Sequence, residues 1–274
     1  MKIFITGGNG YVGSNLIFYL SKKNCKITTL VTKKPKKKIA NVKYIVGKLN
    51  NNYKEYLKNT DLIIHCAAAG VYKNASKKKI FKVNYEDSVK FFNIAYNQMC
   101  RNWIVLGTSS EYGYVEDKSL SSKKSPLNPI NNYGKSKVKF FKFINKKKFK
   151  ANCKILYLRL FHVYGANERK GRLYRDLIDC VKKNKNLKMT NGEEIRDFIH
   201  IKKVVNKIYK SFSFFKRKKL FLVKHIASGT KTKVRDFAEY HWKKNSCKKK
   251  ILIGKLKRKN IYNSMYSDKL SIIK

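Results

Sequence analysis

The first twenty residues limit the possible folds of this chain more than any other stretch. Residues 3–5 form a short apolar run, which predicts a buried parallel strand. Residues 6–13, with the sequence T-G-G-N-G-Y-V-G, follow at once, and apolar side chains then recur at helical spacing. A strand that passes through three spaced glycines directly into a helix is typical of the first unit of a doubly wound α/β sheet.

Each glycine of this motif has a physical role. Gly7 allows a sharp turn out of the strand, Gly10 has no Cβ and so lets a pyrophosphate approach the backbone, and Gly13 lets the helix pack closely on the strand. The helix N-terminus supplies free N–H groups and a partial positive charge. The segment therefore predicts a dinucleotide-binding loop, with Tyr11 and Val12 as further contacts. A tight turn without a ligand is the alternative.

The spacing T-G-x-x-G-x-x-G near the N-terminus resembles the extended short-chain dehydrogenase/reductase family, which includes the nucleotide-sugar epimerases, dehydratases and ketoreductases. The resemblance implies a Rossmann, doubly wound parallel sheet with a small C-terminal substrate-binding lobe. It predicts a cofactor-binding domain at residues 1–164, with a returning strand near residues 195–227. Residues 165–194 and 228–274 are then expected to form the substrate-binding lobe.

The chain length and the cysteines limit the classes of protein to which this sequence can belong. A chain of 274 residues suits one large α/β domain, or one with a small second lobe. No run of eighteen apolar residues occurs, so we expect no membrane span. Because a strand is predicted from residue 2, we expect no secretory or transit segment. The six cysteines form no C-x-x-C pair, which favours small core residues in a reducing cytoplasm and no metal site.

The net charge of +49 comes mostly from lysine, since only nine of the sixty-five basic residues are arginine. The lysines are spread along the chain, whereas a nucleic-acid surface favours arginine and one concentrated patch. We interpret the excess as a drift in composition on solvated faces and expect no specific nucleic-acid binding. Weak, salt-sensitive binding to polyanions stays open, and a basic field would also attract a diphosphate substrate.

The residues after the second predicted strand bear on the choice of cofactor. Lys26–Val31 predicts that strand, and Thr32, Lys33 and Lys34 follow it without an acidic residue. In this fold an acid at that place binds the ribose 2′-hydroxyl of NAD, whereas a basic residue accommodates the 2′-phosphate of NADP. We therefore expect NAD or NADP, with NADP slightly favoured. The alternative is that these lysines belong only to the general excess.

The resemblance implies further cofactor contacts at the ends of other strands. Lys48 stands where family members often have an aspartate that holds the adenine amino group, which puts the adenine contact in doubt. Residues 65–68, H-C-A-A, match a pattern in which small residues let the cofactor lie across the strand end. His65 itself is interpreted as a core histidine. The predicted contacts at these strand ends are Thr32, Lys33, Leu49, Ala67, Ala68 and Leu160.

A tyrosine–lysine pair is the centre of the predicted catalytic site. The fifth strand is predicted to open into G-T-S-S at residues 107–110, and residues 132–137, N-Y-G-K-S-K, to start a helix. Tyr133 and Lys137 are four residues apart and so share one helical face. A phenol has a pKa near 10, but a neighbouring ammonium stabilises the phenolate. Tyr133 can then exchange a proton with a sugar hydroxyl or ketone.

Three other residues support this pair. The hydroxyl of Thr108 can donate a hydrogen bond to the reacting oxygen, so Thr108, Tyr133 and Lys137 are the predicted catalytic residues. Tyr133 and Lys137 are also expected to contact the cofactor, the lysine at the nicotinamide ribose. A helix is predicted at residues 81–96, and by resemblance its Asn84 is a buried polar residue that braces the active-site strand and loop.

Two later segments predict contacts to the substrate. Residues 158–165 resemble L-R-x-F-N-x-Y-G, and His162 takes the place where an asparagine often meets the substrate. Residues 192–200 resemble G-x-x-x-R-D-F-I-H, in which the arginine, here Arg196, reaches the diphosphate of the substrate. A structural ion pair of Arg196 with Asp197 or a neighbour is the alternative. The predicted contacts to a nucleotide-diphospho-sugar are Ser109, Ser110, His162 and Arg196.

The residues after Thr108 bear on the reaction. The nucleotide-sugar 4,6-dehydratases carry Asp-Glu directly after the catalytic threonine, whereas here both positions are serine and Glu111 is one residue late. Dehydration is therefore disfavoured, and hydride transfer at a sugar carbon remains, as 4-keto reduction or as 4-epimerisation. A non-catalytic, NAD(P)-sensing or RNA-binding member of the fold is the alternative, and the retained Thr108, Tyr133 and Lys137 favour the enzyme.

Relatives often dimerise through the helices that follow the fourth and fifth strands. Phe91, Phe92, Phe140 and Phe141 lie in the corresponding segments, but core packing explains them equally well. The sequence thus leaves a homodimer open.

Overall fold

The computed structural model describes residues 1–71, 75–115, 118–150, 152–218, 220–245, 248–256 and 264–274, with the backbone alone at 148–150. The strands are β1 (Lys2–Thr6), β2 (Lys26–Val31), β3 (Val42–Val46), β4 (Leu62–His65), β5 (Asn102–Thr108), β6 (Lys118–Leu120), β7 (Lys154–Leu160), β8 (His162–Tyr164), β9 (Leu187–Lys188), β10 (Ile195–Arg196), β11 (Phe198–His200), β12 (Phe221–Ile226), β13 (Thr232–Lys233), β14 (Ile251–Leu252) and β15 (Met265–Ser267). The α-helices are α1 (Tyr11–Leu20), α2 (Lys54–Leu57), α3 (Lys77–Phe81), α4 (Ser88–Asn97), α5 (Asn132–Lys150), α6 (Leu173–Lys182), α7 (Ile201–Lys210) and α8 (Val234–Lys244). The other helical turns are a π turn (Lys82–Asp87) and 3-10 turns (Ser109–Glu111, Ser211–Lys216, Lys269–Ser271).

Seven parallel strands form the central sheet in the order β12-β7-β5-β4-β1-β2-β3. The central strands are continuous apolar runs because both of their faces are covered, and every residue of β4 is buried. The chain leaves β1 in one direction along the sheet and enters β4 on the other side, which opens a crevice at the carboxyl ends of these two strands. The predicted doubly wound parallel sheet is confirmed.

Alternate residues of the strands supply a hydrophobic core on each face of the sheet. Ile3 and Ile5 pack in the core that includes α1 and α7. Phe4 and Trp103 pack in the opposite core, with α4 and α5. The two cores fix the strand ends in place, so that the loops at the carboxyl edge start from a rigid support.

The four phenylalanines considered for a dimer contact are part of this packing. Phe91, Phe92 and Phe140 are buried in the core beneath α4 and α5. Phe141 is partly buried and meets the ring of Tyr157 at 4.8 Å between centroids. Core packing therefore accounts for these side chains, and they give no support to a dimer.

A smaller lobe covers the carboxyl edge. The strands β13, β10, β15 and β6 form a four-stranded sheet, and β11–β8 and β14–β9 form two further pairs. Helices α6 and α8 contribute Leu177 and Trp242 to a separate core. Between these elements β12 returns to the edge of the central sheet, where it pairs with β7. The domain boundaries given above stay a prediction, and β6 joins the sheet of the lobe.

The helix predicted at residues 81–96 has a different internal structure. The helical segment begins earlier, at α3, passes through the π turn at Lys82–Asp87 and continues as α4. Such turns occur frequently at functional sites. Hydrophobic periodicity did not indicate the turn because its buried Asn84 is held by residues distant in the sequence, which are described below.

Among the described residues, no helix is long and apolar enough to cross a membrane. In the same part of the chain, no group of three His, Cys, Asp or Glu side chains is placed to hold a metal ion. Cys100 and Cys153 are buried, and Cys25, Cys66 and Cys180 are partly buried. Cys247, which the sequence grouped with them, lies outside the described residues.

Candidate active site

The glycine loop between β1 and α1 is as tight as its sequence predicts. Gly7 has φ +75°, and a Cβ there would lie 2.7 Å from the backbone of Ala67. A Cβ at Gly13 would collide with the carbonyl oxygen of Gly7. Gly10 precedes the first residue of α1 and donates its N–H to the Gly7 carbonyl at 2.8 Å. The loop therefore brings a helix N-terminus to the crevice beside β4.

Two buried hydrogen-bond acceptors show whether the residues at the carboxyl edge of the sheet suit a dinucleotide. The Asn9 side chain donates to the carbonyl of Lys33 at 2.8 Å, which ties the glycine loop to the segment after β2. Within the part of the chain that the structure describes, Asn9 Oδ1 and Asn50 Oδ1 are buried without a hydrogen-bond partner. Buried acceptors of this kind require a donor. Ribose hydroxyls and an adenine amino group are such donors, so the residues fit an adenine dinucleotide.

The remaining predicted cofactor contacts all lie along the carboxyl edge of the sheet. Tyr11 and Val12 open α1 and are partly buried. Leu160 is buried at the end of β7, and Leu49 is buried in the segment after β3. Lys48 is exposed, and its carbonyl accepts from Tyr53. The others are Thr32 and Lys33, exposed after β2, and Ala67 and Ala68, which follow β4.

His65 is a core residue, as predicted. Its ring nitrogens lie 3.0 Å from Thr6 Oγ1 and 3.1 Å from Ser88 Oγ, and the ring is buried. Burial, with a smaller contribution from the charge of Lys137, lowers the pKa of His65 to about 3. The Thr6 hydroxyl oxygen also accepts the N–H of Ala67 at 3.2 Å, which joins the exits of β1 and β4.

Thr108 ends β5 and caps the 3-10 turn at Ser109–Glu111. Its hydroxyl oxygen accepts the N–H of Ser110 at 3.2 Å, and its own N–H donates to Glu111 at 2.9 Å. This capping box fixes the strand end, and it leaves the Thr108 hydroxyl proton available to an acceptor in the crevice. Ser109 is buried and Ser110 is partly buried in the same turn.

Glu111 is a buried hub beneath this turn, a role that the sequence did not predict. Its carboxylate is 0% exposed and accepts from Tyr157 at 2.7 Å and from Arg159 Nε at 2.6 Å. Arg159 is itself 2% exposed and also donates to Tyr112 at 3.1 Å. The acid therefore neutralises a buried guanidinium while it holds Thr108.

Helix α5 starts directly against this turn. Asn131 accepts the N–H of Gly134 at 2.7 Å, and a Cβ at Gly134 would collide with the carbonyl of Ser110. Tyr133 is partly buried, and Lys137 one turn later is 1% exposed. Burial lowers the pKa of Lys137, whereas the charges of Glu111 and Cys66 act in the opposite direction. The start of α5, with Tyr133 and Lys137, thus packs against the turn that Thr108 caps.

Asn84 braces this arrangement from the π turn. It accepts the N–H of Ala69 at 2.7 Å and donates to the Ala69 carbonyl at 2.9 Å and to Ser136 at 2.9 Å. Ser136 lies between Tyr133 and Lys137 on α5. The contacts therefore join the loop after β4 to α5 rather than to β5.

The two other predicted substrate residues line one cavity of about 220 Å³ in the lobe. His162 begins β8, and its Nδ1 is buried without a partner among the described residues. Burial, and then the charges of Arg196 and Arg172, lower the pKa of His162 well below its usual value. His162 is thus a buried, neutral side chain that lines the cavity together with these two cations.

Arg196 is not held in a structural ion pair by the described residues. It donates to the carbonyl of Ile195 at 3.0 Å, and in the described chain it forms no ion pair. Asp197 is occupied elsewhere, because it accepts from Ser228 at 2.7 Å and from the N–H groups of Gly229 and Ser267. The alternative of an Arg196–Asp197 pair is not what the structure contains.

Several residues of this cavity were missed from the sequence. They comprise a carboxylate, a second guanidinium and aromatic rings. A weak signal existed: Glu168 and Arg172 are four residues apart, and acids are scarce in this chain. The additional lining residues used below are Tyr164, Glu168, Arg172, Tyr174, Phe198 and Phe237.

The fold and the glycine loop define a class of protein, the dinucleotide-binding α/β proteins in which the ligand lies at the point where the strand order reverses. The sequence model of the NAD dependent epimerase/dehydratase family matches residues 3–219. The chain belongs to that family of enzymes, and the resemblance drawn from its motifs is confirmed.

Individual relatives carry the comparison further. The chain is 29% identical over 229 residues to the ADP-L-glycero-D-manno-heptose-6-epimerase of Brachyspira hyodysenteriae, covering 74% of this chain and 70% of that protein. It is 28% identical over 219 residues to the GDP-6-deoxy-D-talose 4-dehydrogenase of Aggregatibacter actinomycetemcomitans, covering 78% and 70%. The UDP-N-acetylglucosamine 4-epimerase of Methanobrevibacter ruminantium M1, solved with UDP-N-acetylmuramic acid, superposes with a TM-score of 0.86 at 19% identity over 98% of this chain and 90% of that chain. That structural likeness shows the shared fold.

Proposed function

We propose that this protein is an NAD(P)-dependent oxidoreductase or epimerase that acts on a nucleotide-activated sugar, with hydride transfer at a sugar carbon. The observation that carries the proposal is the placement of α5. Its Tyr133 and buried Lys137 lie against the turn that Thr108 caps, on the same edge of the sheet as the glycine loop. The relatives named above, by their names, are epimerases and a dehydrogenase of nucleotide sugars.

Each catalytic residue has a defined task. Bound NAD(P) would supply the hydride acceptor or donor. Tyr133 transfers the proton to or from the sugar oxygen, and the ammonium of Lys137 stabilises its phenolate. Thr108 donates its hydroxyl proton to the same oxygen, since the hydrogen bond that its hydroxyl oxygen accepts from Ser110 does not use that proton. Asn84 keeps the tyrosine–lysine turn in register with the loop after β4.

The position of Glu111 disfavours dehydration. Elimination of water needs an acid and a base beside the reacting carbons. Ser109 and Ser110 supply no carboxylate, and Glu111 is engaged by Tyr157 and Arg159 in the core. The reactions that remain are 4-keto reduction and 4-epimerisation. Incubation with a panel of nucleotide sugars and their 4-keto forms, with both cofactors, distinguishes them, and a 4-keto-6-deoxy product would contradict the proposal.

The cofactor preference follows from the segment after β2. Lys33 is exposed next to the glycine loop, to which its carbonyl is bonded by Asn9, and no carboxylate follows the strand. We expect NADPH to bind about ten- to a hundredfold more tightly than NADH, since a hydrogen bond to a charged group contributes about 1.5–3 kcal/mol. Fluorescence titration of both reduced cofactors measures the ratio. Lys33→Glu should abolish the preference and Lys37→Glu, in the same exposed run, should keep it. Equal affinities of the unaltered protein for NADPH and NADH would mean that these lysines are only solvated surface residues.

Arg196 should bind the diphosphate of the substrate. In a chain with few arginines, a guanidinium that lines a cavity and forms no ion pair among the described residues supports a need for a bidentate donor, which lysine cannot provide. We expect Arg196→Lys to raise KM for the nucleotide sugar by about ten- to a hundredfold, within the range for hydrogen bonds to charged groups. Cofactor affinity should stay unchanged. Arg101→Lys is the matched control, because Arg101 precedes the amino end of β5 and so lies at the opposite end of that strand from Thr108. A loss of thermal stability with unchanged kinetics would instead make Arg196 a structural residue.

A further inference from the structure

Glu168 is a buried acid with an unused oxygen. Glu168 follows β8 in the loop that leads to α6, and 5% of the residue is exposed. Its Oε1 lies 3.5 Å from Nε of Arg172, longer than a strong charge-assisted hydrogen bond. Its Oε2 is buried and has no hydrogen-bond partner in the described part of the chain. A buried carboxylate oxygen without a donor is costly, so its retention indicates that a ligand supplies one.

The surroundings of Glu168 suit one part of a nucleotide sugar. Phe198 and Phe237 are stacked with centroids 3.8 Å apart, and Tyr164 meets Phe237 edge-on at 4.8 Å. These rings form an apolar wall of the same cavity that Glu168 lines. A planar base can stack on such rings.

The cations of the cavity suit the diphosphate. Arg196 forms no ion pair in the described chain, and Arg172, whose side chain is 41% exposed, lines the same cavity. Four of the nine arginines of the sequence, at 169, 172, 175 and 196, occur in or next to this part of the lobe. Two planar guanidinium groups are better suited to phosphate oxygens than the lysines that dominate the surface.

We propose that Glu168 determines specificity for the nucleoside diphosphate part of the substrate, its free oxygen accepting a hydrogen bond from a neutral donor while Arg172 and Arg196 hold the diphosphate. This inference rests on the proposed function. The donor is either an exocyclic amino group of the base or a ribose hydroxyl. An ionised carboxylate only accepts, so a base carbonyl at the same place leaves two acceptors facing each other. A site that is built to bond one donor strongly rejects the analogue that lacks it.

The test is calorimetric titration of the intact protein, saturated with its preferred cofactor so that adenine nucleotides do not occupy that site. CDP, GDP and ADP, which carry an amino group, are compared with UDP, and the tightest ligand is compared with its 2′-deoxy form. Burial, opposed by Arg172, raises the pKa of Glu168 to about 7, so the titrations are run well above that pH. We expect one of the two comparisons to show a preference of about tenfold or more. The base comparison identifies the amino group, and the sugar comparison identifies the hydroxyl.

Glu168→Gln supplies the decisive variant, because glutamine both donates and accepts and therefore loses the preference. Asp179→Asn is the matched control, since Asp179 and Arg175 form the same i,i+4 type of pair on the outer side of α6. Arg172→Lys should weaken all the nucleoside diphosphates without a change of preference. Equal affinities in the unaltered protein, or a preference that survives Glu168→Gln, would overturn the inference alone. Failure of every nucleoside diphosphate to bind would overturn the proposed function with it.

Discussion

Tyr133→Phe is expected to lower turnover by about 10²–10⁴-fold, which is the contribution of a positioned general acid or base. The change removes one oxygen and leaves the ring, the helix and the capping contacts of Gly134 in place. Cofactor affinity should therefore remain nearly the same. Steady-state kinetics on the best substrate of the panel, together with a fluorescence titration of the cofactor, measures both quantities.

The control for this variant is Tyr19→Phe. Tyr19 donates its hydroxyl to Asn206 at 3.0 Å on the helical layer formed by α1 and α7, away from α5. It loses a hydroxyl of the same kind, and its turnover should match that of the unaltered protein. Lys137→Met should also lower turnover, because the phenolate of Tyr133 then lacks its neighbouring cation. If Tyr133→Phe turns over as fast as the unaltered protein, the catalytic assignment is wrong.

The parts of this fold that the sequence predicted well are those specified locally. The strand Lys26–Val31 has the bounds predicted for it. Gly7 and Gly13 were assigned correctly because a steric requirement of one turn decides both residues. The start of α5 at Asn132 was also predicted from a short motif.

The parts that the sequence did not predict depend on partners far along the chain. The π turn at Lys82–Asp87 is invisible to periodicity, since Asn84 is stabilised by Ala69 and Ser136, 15 and 52 residues away. The sequence excluded Glu111 from the dehydratase position because it comes one residue late, but nothing local indicated its hydrogen bonds with Tyr157 and Arg159. Residues distant in the sequence meet through tertiary packing, which a motif does not encode.

The cavity residue Glu168 illustrates the same limit. Its spacing from Arg172 predicts a helical surface pair, but the loop buries the acid and leaves the arginine partly exposed. A pair with one buried and one partly exposed member is better suited to binding a ligand than to stabilising the fold. Even a fully exposed helical pair of the same spacing contributes only about 0.3–0.5 kcal/mol to stability.

Glu111→Gln is expected to lower the free energy of unfolding by about 3–5 kcal/mol, the cost of removing one partner of a buried ion pair. Glutamine has nearly the same volume, so no cavity forms. Its one carbonyl oxygen cannot serve Thr108, Tyr157 and Arg159 together, and its amide donors face those of the guanidinium. Arg159, which is 2% exposed, is then left as a buried charge without a counterion. Urea unfolding with linear extrapolation measures the loss.

Glu193→Gln is the control that separates burial from charge. Glu193 contacts Lys233 at 2.8 Å and Arg235 at 3.1 Å, but all three side chains are about 40% exposed. Exposed ion pairs contribute little to stability, so this variant should unfold nearly as the unaltered protein does. Equal losses in the two variants would mean that only the net charge changed stability.

Because Glu111 also holds the N–H of Thr108, its variant should lose turnover even in the folded fraction, whereas Glu193→Gln should not. A folded Glu111→Gln protein with full activity would show that the strand end keeps its position without this carboxylate.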